Sequence, residues 1–333
     1  AMPLPMAKPA AAAELASVVA FSFSIADARA LLREHPMPAD APLQERIRRL
    51  RHAGRLAMFA DQPRDGLPRL TEAVHLAESA GLPLLEARCR IALGQALSRS
   101  TQGQEAEHHL RRAIALTAQH ALPEQHVRAS IRLAQHLLLQ GLRREAAVLL
   151  QAALNAALQA GLVRLEEQCV STLGFVLVGQ GRAEEALVPL GRALELARAH
   201  GARRAVYVAL VNRGLAWAFA GDPAAGRRDL DEALDLSRNP GWFRAVGLAY
   251  RAVAELLDDA AEPAQTTVRE CIGLLAQQQN PDASAMSEAL TMLARFAADP
   301  ACAPEIAAWL DAWTGSAEVE AIVSGLRRAI AAT

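Results

Sequence analysis

The residues able to do chemistry in this 333-residue chain are nine histidines, four cysteines and a large set of arginines. Metal binding needs ligands that share one face, and His108, His109, His120, His126 and His136 are the histidines closest in sequence. Only His126 and His136 could reach one another through a helix, and their spacing of ten puts them nearly three turns apart. No His-x-x-x-His or His-Glu-x-x-His occurs, so no metal is expected. Cys89, Cys169, Cys271 and Cys302 stand alone, without a Cys-x-x-Cys or a disulfide spacing. Gly179-Gln180-Gly181-Arg182 lacks the preceding strand and the Lys-Ser/Thr of a phosphate loop. No nucleophile elbow and no pair of carboxylates in a cleft is visible, so neither an enzyme nor a cofactor is expected.

The arginines carry a different chemistry. A guanidinium grips a carboxylate or phosphate through two parallel hydrogen bonds. Arg48, Arg51 and Arg55 follow one another at helical spacing, and Arg88, Arg99, Arg128 and Arg132 recur later. What these side chains do depends on the elements that hold them.

Those elements come from a forty-residue repeat. Small residues recur at Gly54, Gly94, Ala134, Gly174 and Gly214. Leu70, Leu110, Leu150, Leu190 and Leu230 keep the same register, as do Ala73, Ala113, Ala153, Ala193 and Ala233. Self-similarity at this period predicts stacked supersecondary units, each covering its neighbour's apolar face. Each unit reads as two antiparallel helices, for example about Leu84–Ser100 and Gln104–Gln119 in the second copy. Short turns join them at Asp61-Gln62-Pro63, Thr101-Gln102-Gly103, Gly141, Gly181 and Gly221-Asp222-Pro223. Pro63 and Pro223 open helices, and Gly81, Gly161, Gly201 and Gly241 close them. The small residue admits the paired helix, and Leu97, Leu137, Leu177 and Trp217 fill the space between.

The pattern resembles the tetratricopeptide repeat family. The matching signature is Ala106-x-x-x-Leu110-x-x-Ala113, repeated as Ala146/Leu150/Ala153 and Ala186/Leu190/Ala193, with Gly66 and Gly226 in the outer copies. It holds firmly over residues 43–240 and more weakly to 279, where Ala254 keeps register but Thr266 and Glu270 do not. The usual unit has thirty-four residues, so each helix here is nearly a turn longer, and Leu fills most of the aromatic positions. The resemblance implies an all-α, right-handed α-solenoid of antiparallel helix pairs, with irregular caps at both ends. Longer units of this kind look like those of bacterial signalling and transcription regulators and some motor-cargo adaptors. The organisation expected is an N-terminal tail and capping helices over 1–42, about six repeats over 43–279, and capping helices over 280–333.

First helices line the inner, concave surface of such a stack. That surface would present Arg48, Arg51, Arg55, Arg88, Gln95, Ser98, Arg99, Arg128, Arg132 and Gln135, then Phe175, Val178, Leu215 and Phe219. The sixth copy adds Arg251, Glu255, Asp258 and Asp259. Residues 41–140 hold fourteen Arg against nine acidic residues, and residues 251–333 hold five against twelve. The leading expectation is a non-catalytic scaffold that takes a protein or peptide with an acidic segment, as the regulatory or sensor part of a bacterial signalling protein. A small-molecule sensor enclosing its ligand with Phe175, Trp217 and Phe219 is the alternative, with an output domain absent from this sequence. A third expectation is a homo-oligomer formed through oppositely charged ends. The paired Lys and Asn of the family's peptide clamps have no equivalent here, so chaperone-tail binding is not expected.

Composition fits this picture. Hydrophobic residues make up 52% and aromatics 4%, so Leu, Ala and Val must build the core. A net charge of −1 gives no reason to expect nucleic acid or an anionic membrane. The only lysine is Lys8. No apolar run has the length of a membrane span and no secretion signal is visible, so the cytoplasm is the expected compartment, in keeping with free thiols. Ala1 before Met2 reads as a cloning remnant.

Overall fold

A computed structural model describes residues 30, 32–36, 38, 40–59, 63–98, 102–237, 242–277 and 307–308. Of the expected capping segments over 1–42 and 280–333, only residues 30, 32–36, 38, 40–42 and 307–308 are among them. Among the described residues there is no strand. Across the described residues from 43 to 277 twelve helices follow in order: α1 (Leu43–Phe59), α2 (Pro63–Ser79), α3 (Pro83–Leu97), α4 (Gly103–Gln119), α5 (Pro123–Leu139), α6 (Arg143–Gln159), α7 (Val163–Gly179), α8 (Ala183–Ala199), α9 (Arg203–Phe219), α10 (Pro223–Leu236), α11 (Trp242–Leu257) and α12 (Ala261–Gln277). The chain divides into two compact units at Gln140/Gly141, with α1–α5 in the first and α6–α12 in the second.

Punctuation follows the sequence closely. Pro63, Pro83, Pro123 and Pro223 each occupy the first position of a helix, where no amide hydrogen is required. Helix ends use a left-handed residue followed by a six-to-one hydrogen bond, as in Leu82 N–H to the Ala77 carbonyl at 3.0 Å and Leu162 N–H to Ala157 at 2.9 Å. Gly81 and Gly161 take φ of 61° and 62° there. Ala121 holds the same place in the second copy with φ 51°, and Leu122 N–H reaches Thr117 at 2.9 Å.

Packing repeats with the sequence. In the first unit α1 pairs with α2 and α3 with α4, and first helices α1, α3 and α5 touch in succession. In the second unit α7 pairs with α8, α9 with α10 and α11 with α12, and α7, α9 and α11 touch in the same way. Leu70, Leu110, Leu150, Leu190 and Leu230 are fully buried. Each contributes about 1.5–3 kcal/mol by leaving water.

The sixth copy holds a register that the forty-residue count misses. Its hairpin turn comes early: Asp259 is the left-handed residue, with φ 55°. The second-helix signature shifts by the same two residues, so Ala264, Val268 and Cys271 are fully buried where positions 266, 270 and 273 were expected. Ala-x-x-x-Val-x-x-Cys keeps the spacing of Ala-x-x-x-Leu-x-x-Ala.

Candidate functional site

In the first unit α1 supplies Arg48, Arg51, His52 and Arg55, α3 supplies Arg88, and α5 supplies Arg128 and Arg132. Helical spacing of three and four aligns the α1 group along one face. His52 lies at its centre and is 6% exposed. Its Nε2 is 2.8 Å from Nη2 of Arg51. A guanidinium has no acceptor, so Arg51 donates and the imidazole is the neutral tautomer with its proton on Nδ1.

Electrostatics tie the three helices together. Burial holds His52 down to about 3, and the charges of Arg51, Arg55, Arg88 and Arg48 all push the same way. Arg55 falls to about 10, through burial first and then Arg132 and Arg128 on α5. Arginine charges from α1, α3 and α5 that bear on His52 and Arg55 form a region of concentrated positive potential. Arg132 is steadied by Nη1 donating to Oε1 of Gln135 at 2.7 Å. Arg128 pairs with Glu124 at 2.8 Å in an exposed bridge. Arg48 and Arg88 make no ion pair with another described residue.

Arginines elsewhere meet acids. Arg90, buried between helices, donates to Glu86 at 2.7 Å and Glu78 at 2.8 Å, with His109 Nδ1 at 3.3 Å. In the second unit Arg213 holds Asp229 through two bonds of 2.7 Å. Arg227 meets Asp258 at 2.7 Å, and Arg251 meets Asp231 at 3.0 Å. Glu255 accepts from Thr267 at 2.7 Å. Asp258 and Arg251 of the sixth copy therefore brace α11 against α10, and Glu255 braces it against α12.

The other expected site residues separate. Gln95 and Gln135 are half-buried, beside the arginines in sequence position, and Arg99 lies outside the described residues. Phe175, Val178 and Phe219 are half-buried on α7 and α9. Leu215 does not face outward. It is 2% exposed and shares a core with Tyr250 and Val253. α11 packs directly onto α9 and covers the position that is half-open in the earlier copies.

Buried thiols are chemically quiet: burial pushes Cys89, Cys169 and Cys271 up to about 12. Among the described residues no three His, Cys, Asp or Glu side chains gather as metal ligands. Recesses of about 480 and 570 Å³ open on the first unit, and neither is lined by Phe175, Trp217 or Phe219. No described helix is long and apolar enough to cross a membrane.

No protein-family model matches the sequence. No curated protein matches it either. Solved structures do match. The apo form of RapI aligns with a TM-score of 0.58 at 11% identity, covering 96% of each chain. The NprR complex with its cognate peptide NprX aligns at 0.55 and 13% identity, over 91% of this chain and 87% of that one. A signal-transduction ATPase with a tetratricopeptide repeat sensor, from Pyrococcus horikoshii, aligns at 0.55 and 14% identity, over 97% of this chain and 52% of that one. Forty-residue helical hairpins, a small residue against a buried Leu, and these alignments agree: the chain has the all-α, tetratricopeptide-like helical-repeat fold of the α-solenoid class.

Proposed function

We propose that this chain is a non-catalytic repeat scaffold that binds a protein or peptide and serves as the sensing or regulatory part of a bacterial signalling protein in the cytoplasm. The observation that carries the reading is the group of guanidiniums contributed by α1, α3 and α5, whose charges hold down the buried neutral His52 and, from Arg128 and Arg132, also Arg55. A partner segment rich in Asp or Glu would relieve that repulsion and gain two-point hydrogen bonds. Support of a weaker kind comes from the fold, since NprR was solved with a peptide bound and the Pyrococcus protein carries its repeats as a sensor. This last step is analogy between folds.

The test is a fluorescence-polarisation titration with a labelled peptide of alternating Glu and Ala, beside its Gln counterpart. The Glu peptide binds, the Gln peptide does not, and binding weakens as salt is raised. Arg51→Glu with Arg55→Glu abolishes binding while the melting temperature stays within a few degrees. Equal binding of the two peptides, or an unaffected double variant, removes the arginine group from the account.

A further inference from the structure

Helix α6 breaks the charge pattern of the other second helices. After Glu145, its third residue, no charged residue occurs before Arg164. No other described helix runs uncharged from its fourth residue to its end. Its buried side is the usual one, made by Ala146, Leu150, Ala153 and Ala157. The opposite side faces water, where Val148 is 73% and Leu158 54% exposed. Each place held by Val148, Gln151, Asn155 and Leu158 is charged in at least one other copy, as Arg228, Arg111, Glu195 and Arg198. The repeat therefore does not require an uncharged outer face, and apolar side chains left in water mark a surface that is covered by something.

The stripe reads alike from both ends. Val148, Gln151, Asn155 and Leu158 follow at spacings of three, four and three, which are the first and fourth places of a heptad. Set antiparallel to itself about a two-fold axis level with Ala153, the helix puts Val148 opposite Leu158 of the second copy. Gln151 falls opposite Asn155 in the same way. Apolar meets apolar, amide meets amide, and no charge is pressed against its like. Gln151 Nε2 donates to Asn155 Oδ1 at 3.4 Å along the helix, and each amide keeps further donors and acceptors for a partner. Exposed Ala152 and half-buried Ala156 keep the flank low enough for close approach. Exposed Arg144, in the first turn, would meet the last turn of the other helix, whose free carbonyls favour a cation.

We propose that the outer face of α6 is the interface of a homodimer, in which two copies pair this helix antiparallel about a two-fold axis. A contact centred on one seventeen-residue helix, about 25 Å long, is smaller than a standard interface of roughly 800 Å² per partner, so the dimer is weak, half-formed on the order of 100 µM. The pairing rests on α6 alone and holds whether or not the arginines of the first unit bind an acid.

Sedimentation velocity of the full chain over roughly 10–500 µM should show a reversible monomer–dimer equilibrium. Val148→Glu with Leu158→Glu sets Glu opposite Glu at both crossings and weakens association by about tenfold or more. Val148→Glu with Leu158→Lys sets Glu opposite Lys of the second copy and restores the dimer, whereas parallel helices would set Glu against Glu. Both side chains stand in water, so each variant keeps the circular dichroism and melting temperature of the natural chain within a few degrees. Three results overturn the proposal: a chain monomeric throughout that range, a dimer indifferent to the double Glu variant, or a dimer that the Glu/Lys variant fails to restore.

Discussion

A methyl group placed on Gly94 would stand 2.6 Å from Cγ of Leu110, well inside the contact distance of two non-bonded carbons. The same relation joins Gly54 to Leu70 and Gly214 to Leu230, at 2.7 Å each, and Gly174 to Leu190. The small residue of the first helix is thus a socket for the signature Leu of its partner. Gly94→Ala gains up to about 1 kcal/mol in helix propensity but costs about 1–3 kcal/mol by overpacking. Shortening the knob with Leu110→Ala leaves a cavity and costs about 2–5 kcal/mol alone. In a double-mutant cycle the two should couple favourably by about 0.5–3 kcal/mol, read from urea unfolding. Additive changes would mean that the socket is filled by something other than Leu110.

Ala121 occupies the left-handed position that Gly81, Gly161 and Gly201 fill in other copies. An L-residue is strained there by about 1–2 kcal/mol. Ala121→Gly should therefore stabilise the chain by about 0.5–1 kcal/mol, after the larger entropy of the unfolded Gly is subtracted. Thermal unfolding monitored by circular dichroism reads the shift. A fall in melting temperature would contradict the turn geometry.

Burial alone raises the Glu167 carboxyl from 4.5 to about 7. The folded value lies above the unfolded one, so the carboxyl is protonated in both states below about pH 4.5. Stability then declines as pH rises to about 7 and levels off beyond it. The loss is at most roughly 3 kcal/mol. Glu167→Gln should remove this decline, so its advantage over the natural chain grows from near zero at pH 4 towards pH 8. A constant difference across that range would show that Glu167 ionises freely in the folded chain.

His52 titrates in the opposite sense. Its folded value is depressed from 6.5 to about 3, by burial and then by its arginine neighbours. The stability it contributes is complete above pH 6.5 and is lost as pH falls through that window towards 3, by up to on the order of 4 kcal/mol. His52→Gln should flatten this part of the acid limb. NMR of the imidazole Cε1 gives a direct check: its resonance should stay that of a neutral ring down to pH 5. A midpoint above 6 would dissolve the picture of a histidine enclosed by guanidiniums.

Much of the fold was legible because helix hairpins repeat their punctuation. Pro63 and Pro223 mark helix starts by what proline cannot donate, and Gly81, Gly161 and Gly201 mark ends by the φ that glycine tolerates. The sixth copy escaped a fixed period, since its turn at Asp259 comes two residues early. The Ala264-x-x-x-Val268-x-x-Cys271 spacing was present in the sequence, but Val and Cys concealed it from a search for Leu and Ala. Glu167 was visible too, as a charged residue at a position that four other copies keep apolar.

By itself the sequence determined the hairpin unit, the length of its helices and the pairing of small residue with Leu, because these depend on contacts within forty residues. Tertiary structure decided which side chains stay in water. Leu215 and Phe175 hold equivalent places after their small residues, yet α11 covers the first and leaves it 2% exposed, while the second is half-buried. Arg55 feels Arg128 and Arg132 only because α1, α3 and α5 pack in succession and bring charges more than seventy residues apart in sequence into one field. Burial and long-range electrostatics are properties of the packed chain, and no spacing along a single helix encodes them.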